Sequence, residues 1–203
     1  MIELKNEYPQ ELKKTFNMIE YVEDGGIIIE SVKYIDNNLL LEFTLSFGSY
    51  QIDNQLWQVN IIDIKKEIIR LEWASNLEIY SDHFLLYDYI DSFTELYFNG
   101  NAINPEKLFI DLYSKHINLY GNKLDFGTYL NNQEGIFKLC TYDNGLFARG
   151  PKKILEQYEN CLKMHGIKTN YIGNQECEDM NLKLLIFGNS YFIGKEFSFK
   201  RRQ

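Results

Sequence analysis

The chain has 203 residues, 45% of them apolar and 15% aromatic, enough to bury a core and far from a disordered composition. Its formal charge of −8 and pI near 5.0 repel phosphate backbones and argue against nucleic acid as a partner. No apolar run approaches the ~18 residues of a membrane span, and MIELKNEYPQELKK has no apolar leader core.

Three cysteines, Cys140, Cys161 and Cys177, form no close pair, which predicts free thiols in a reducing cytoplasm. Alanine is scarce (Ala74, Ala102 and Ala148) while Asn, Ile and Lys abound. Such a bias fits a bacterial or phage chain encoded by AT-rich DNA.

The chain opens with a short amphipathic helix over about Pro9–Ile19, placing Leu12, Phe16 and Ile19 on one side. Gly25-Gly26 end it, and Gly26–Ile35 reads as a strand. In Leu39–Phe47 the alternation is clean: Leu39, Leu41, Phe43, Leu45 and Phe47 face one way. Asp36-Asn37-Asn38 supplies the turn between the two, since Asn and Asp tolerate left-handed backbone. Leu56–Ile64 and Glu67–Trp73 repeat the theme, the second grouping Ile69, Leu71 and Trp73; Leu77–Tyr80 adds a short strand. This is a sequential meander with one dry face, and a helix is expected to cover it.

That helix is Asn104–Tyr120. Asn104 is a good N-cap, Pro105 suits the first position, and Gly121 is a left-handed stop. Leu108, Phe109, Leu112, Tyr113, His116, Ile117 and Tyr120 line up one apolar face. After it, Ile136–Thr141 and Leu146–Ala148 flank Asp143-Asn144-Gly145, a hairpin signal. A second helix over Pro151–His165 carries Ile154, Leu155, Tyr158, Cys161, Leu162 and His165 on one side. Ile167–Ile172 is a strand. Leu182–Phe187 and Tyr191–Phe199 form a terminal hairpin about Gly188-Asn189-Ser190. The expectation is one α+β domain over 1–203: a mainly antiparallel sheet, from an N-terminal meander and a C-terminal hairpin, with two or three amphipathic helices packed on it.

No catalytic motif is present. His83 beside Asp82 is a weak general-base candidate, because neighbours on a helix point about 100° apart. His116 sits on an apolar stripe and reads as a buried histidine bonded to a carbonyl. Cys161 and His165 share the i, i+4 spacing of metal ligands but lack further ligands, so no metal and no cofactor are assigned. Arg149-Gly150-Pro151-Lys152-Lys153 is the best anion site: Arg149, Gly150, Lys152 and Lys153 gather basic side chains and free N–H groups at a helix start. Asp82, Asp88, Asp91 and Glu95 interleave with Tyr87, Tyr89 and Tyr97, the composition of a protein interface. The acidic loop Glu176-Cys177-Glu178-Asp179 is a further such surface, and Lys200-Arg201-Arg202 a further basic one.

Size and charge favour, by analogy, a non-enzymatic cytoplasmic protein that occludes a protein partner. Immunity proteins and phage inhibitors of host defence are the obvious classes, with neither membrane nor nucleic acid involved. The alternative is an enzyme or sensor for a small phosphorylated ligand held at Arg149–Lys153.

Overall fold

The computed structural model describes residues 2–3, 8–19, 25–48, 53–177 and 181–202. Strand β1 (Ile2–Glu3), helix α1 (Gln10–Ile19), and strands β2 (Gly26–Ile35), β3 (Asn38–Ser46), β4 (Gln55–Ile62), β5 (Lys66–Ile68) and β6 (Leu77–Asp82) come first. A 3-10 turn at Phe84–Leu86 leads to α2 (Tyr87–Ile90), β7 (Phe93–Asn99), α3 (Pro105–Tyr120) and α4 (Ile136–Leu139). Then follow β8 (Asn144–Pro151), α5 (Lys152–Met164), β9 (Lys168–Gln175), β10 (Lys183–Phe187), β11 (Ser190–Gly194) and β12 (Glu196–Arg201). Every strand pairing described is antiparallel, and the fold is α+β. The chain divides into two compact units: Met1–Leu86 with Met180–Gln203, and Tyr87–Asp179.

The first unit stacks two sheets, β12-β4-β3-β2 and β1-β6-β10-β11-β5. The alternation in β3 decides the first: Leu39, Leu41, Phe43 and Leu45 are all fully buried. Trp57, Val59 and Ile61 of β4 join them. From the other sheet Ile79, Leu185, Phe187 and Phe192 enter the same core, with Phe43 edge-on to Phe187 at 5.1 Å. Leu12 and Thr15 of α1 are buried too; the side chains of Phe16 and Ile19 lie outside the described residues.

The expected meander is therefore real from β2 to β4 and then breaks. β5 and β6 leave for the second sheet, where the terminal hairpin β10–β11 separates them. Residues 69–73 are not strand, because the Ser190 hydroxyl takes both backbone groups of Arg70, at 2.7 and 3.0 Å. Leu71 is left 82% exposed, and Trp73 lies over Gly26, where a Cβ would come within 2.6 Å of its ring. The last run, Tyr191–Phe199, divides after Gly194 and changes sheet, and a Cβ at Gly194 would meet Ile61 at 2.8 Å.

The second unit is built on β8-β7-β9. Helix α5 packs on this sheet and α3 packs on α5 and α4. The α3 caps are as the sequence implies: Asn104 accepts the Lys107 N–H at 2.9 Å, and Gly121 has φ +55. Leu108, Leu112, His116 and Tyr120 are its buried face, while Tyr113 is 48% exposed. This face serves the second unit's core and not the meander, which is covered by its own second sheet. The expected hairpin about Asn144-Gly145 is also replaced. Residues 136–139 are helical, and β8 pairs with β7, with Gly145 opposite Phe98.

Candidate interaction face

The start of α5 was the expected anion site, and its geometry is specific. Gly150 is required because a Cβ would fall 2.4 Å from the Tyr129 ring. The Lys152 N–H donates to the Ser92 carbonyl at 2.9 Å, and the Lys153 N–H donates to the Asp91 carboxylate at 2.6 Å. The anion at this helix start is thus one of the chain's own side chains. The Lys153 ammonium lies 4.8 Å over the Tyr87 ring. Arg149 instead turns to the sheet, its guanidinium 5.5 Å over Phe93 and its Nε 3.4 Å from Glu95. Lys152 is exposed.

The acidic and aromatic set divides as well. Asp82 ends β6 in the first unit, while Tyr87, Asp88, Tyr89, Asp91, Glu95 and Tyr97 belong to the second. Asp88 accepts the Tyr129 hydroxyl at 2.6 Å. Burial, reinforced by that carboxylate, pushes the Tyr129 phenol far above its ordinary range. The carbonyl of Tyr89 accepts the Cys177 thiol at 2.7 Å. Glu95 and Tyr97 stand on one face of β7, with the Tyr97 hydroxyl donating to Glu95 at 3.1 Å. The carboxylate raises the Tyr97 phenol by stabilising its protonated form. Of the acidic loop 176–179, Glu178 and Asp179 lie outside the described residues.

Around Glu95 and Tyr97 lies a face that sequence reading missed. In β7, Thr94, Leu96 and Phe98 are buried while Phe93, Glu95 and Tyr97 are half-buried. β9 pairs Ile172 with Glu95 and Gln175 with Phe93, so two residues of β9 oppose Thr94 alone. Gly173 adopts φ +76 at this bulge, and the Thr94 hydroxyl donates to the Gly173 carbonyl at 2.7 Å. The bulge opens a cleft of about 380 Å³ lined by Phe93, Glu95, Arg149, Ile172, Asn174 and Gln175, among others. Ile172 is 51% exposed at its edge. The available signal was the alternation of FTELYFN, masked because aromatic residues occupy both of its faces.

Each histidine is held by a hydrogen bond within the fold. His83 is 5% exposed, between Tyr80 and Phe84, and its Nδ1 accepts the Leu85 N–H at 3.2 Å. His116 Nε2 donates to the Leu124 carbonyl at 2.7 Å while Nδ1 accepts from the Tyr158 hydroxyl at 3.0 Å, the tautomer that satisfies both. Burial lowers its pKa. His165 bonds Asp111 at 2.9 Å. Cys161, four residues earlier, is buried, with its thiol pushed up to about 11. Among the described residues no three His, Cys, Asp or Glu side chains gather as a metal site, and no helix is long and apolar enough to cross a membrane. No protein-family model, curated protein or solved structure matches the chain.

Proposed function

We propose that this is a non-enzymatic cytoplasmic protein that occludes a protein partner with the open face of its three-stranded sheet. One observation carries the reading: Phe93, Tyr97 and Ile172 share one sheet face beside the Glu95–Arg149 pair, and Ile172 is 51% exposed there. Aromatic and aliphatic area ringed by charge is the usual make-up of a binding hot spot. Glu95 and Tyr97 are central contacts in this proposal. Asp88 contributes charge, while Tyr87, Tyr89 and Asp91 hold α2 and the start of α5 in place. Asp82, in the other unit, is not needed. The net charge of −8 favours a basic partner surface, and the class is that of immunity proteins and phage inhibitors.

A photo-crosslinking side chain placed at Ile172 should join the protein to one partner in cells that make it. The same group at Leu71, exposed in the first unit, should not. Equal capture from both positions, or capture from Leu71 alone, would remove the basis of the proposal.

A further inference from the structure

The basic run Lys200-Arg201-Arg202 plays no part in the interaction face. In the first unit β12 pairs with β4 so that Arg201 lies opposite Trp57, and the Arg202 N–H extends the ladder to the Leu56 carbonyl at 2.9 Å. Both residues line a cleft of about 480 Å³, with Glu11, Asn54, Gln55 and Leu56. A cleft of this size suits a small molecule.

Its lining sets two guanidinium groups and two side-chain amides against a single carboxylate, that of Glu11. The Asn54 amide oxygen accepts the Phe47 N–H at 3.3 Å. The Gln55 amide oxygen accepts Trp57 Nε1 at 3.1 Å, while the one Thr15 hydroxyl proton goes to the Glu11 carbonyl at 2.9 Å. With both oxygens committed to the fold, their NH₂ groups are what the two amides have left for a ligand. Arg201 pairs with Glu11 of α1, but these side chains are 46% and 53% exposed, so the pair is screened and exchangeable. The Arg202 guanidinium has no side-chain partner among the described residues.

A guanidinium donates five N–H groups in a planar fork that matches an oxyanion. Two such groups and two amide donors, on a chain of net charge −8, are arranged against the overall charge. We infer that this cleft binds a small molecule through a phosphate or carboxylate oxyanion. Arg202 and the amides of Asn54 and Gln55 contact it directly, and Arg201 exchanges Glu11 for the ligand. Leu56, 39% exposed, meets the apolar part of the molecule.

Glu11 makes the inference testable in sign. As a resident carboxylate it competes for Arg201, so Glu11→Gln should strengthen binding by roughly threefold, whereas a merely structural pair would leave it unchanged or weaken it. Arg202→Gln, at an exposed position, should weaken it by about tenfold with the unfolding midpoint unchanged. The full chain is titrated with inorganic phosphate and, separately, with citrate, following backbone amide signals. The expected result is saturable shifts centred on Asn54, Gln55, Leu56 and Arg202. Response to phosphate alone assigns a phosphorylated ligand, and response to citrate alone a carboxylated one. The inference fails if neither anion moves these signals, if Arg202→Gln binds as well as the parent, or if Glu11→Gln does not bind more tightly.

Discussion

Both units expose one face of a sheet, and they finish that face differently. On β3 and β4 the outward positions are largely polar, with Glu42 accepting from Ser31 at 2.8 Å and from Gln58 at 3.4 Å. On β7 and β9 the outward positions include Phe93, Tyr97 and Ile172 beside one ion pair, with Gln175 and Asn170 opposite Phe93 and Tyr97. A polar ladder satisfies itself in water, whereas half-buried aromatic and aliphatic groups gain by being covered. On our proposal the aromatic and aliphatic groups at the centre of the second face are what a partner covers.

The largest effects should come from beneath either surface. Phe43→Ala in the first unit should cost ~3–5 kcal/mol and Leu112→Ala in the second ~2–5 kcal/mol, since both side chains are fully buried. We propose that the chain unfolds as one domain, so both variants should lower a single midpoint in guanidinium unfolding. A transition that splits in two, with each substitution moving only one part, would divide the chain where the contacts divide it.

Next is the cap on α5. Asp91→Ala should cost ~1–2 kcal/mol, because it strips the Lys153 N–H of its acceptor at a helix start. Asp88→Ala removes the acceptor of the Tyr129 hydroxyl but no helix cap, and should cost less. Equal losses in urea unfolding would show that Asp91 is not the cap. The sequence treated both carboxylates alike, as contact charges of one patch.

That difference marks where the sequence was legible. Period-two alternation in β3 and β4, and caps such as Asn104 and Gly121, are local signals, and the elements they predict are present. Partner choice is not local. Nothing in Glu67–Trp73 announces that Ser190, 120 residues from Arg70, will take that residue's backbone groups. The Asn144-Gly145 signal was overridden in the same way by pairing with β7, a strand hidden because Phe and Tyr occupy both its faces. Within the candidate site, Glu95 and Tyr97 were found as residue types; Phe93 shares their face by the period of β7, while Arg149 and Ile172 are joined to them only by the register of β8 and β9.

A smaller effect follows from His116 in the second unit. Burial favours its neutral form and lowers its folded pKa below the ordinary value of about 6.5. Below pH ~6.5 the unfolded chain therefore binds more protons than the folded one. The stability His116 contributes is complete above that pH and is lost as pH falls towards its depressed value. His116→Gln should flatten this part of the stability–pH curve; a slope unchanged by the substitution would assign it to other groups.

Smallest is a difference in reactivity with little effect on the fold. Burial raises the Cys140 and Cys161 thiols to about 11, and both are free. Iodoacetamide at neutral pH should label the partly exposed Cys177 first, read by mass spectrometry of the native protein. Faster labelling of Cys140 or Cys161 would mean that the second unit opens readily.

The contact surface itself is tested most directly by moving one charge between the two units. Ile172→Asp and Leu71→Asp each place a carboxylate on an exposed aliphatic site, 51% and 82% exposed respectively. Affinity for the crosslinked partner is measured by calorimetry, with the unfolding midpoint measured alongside. Ile172→Asp should weaken binding by more than about tenfold without lowering the midpoint, and Leu71→Asp should bind as the parent does. Undiminished binding by Ile172→Asp, or a loss confined to Leu71→Asp, would contradict the assignment of the partner to the β7–β9 face.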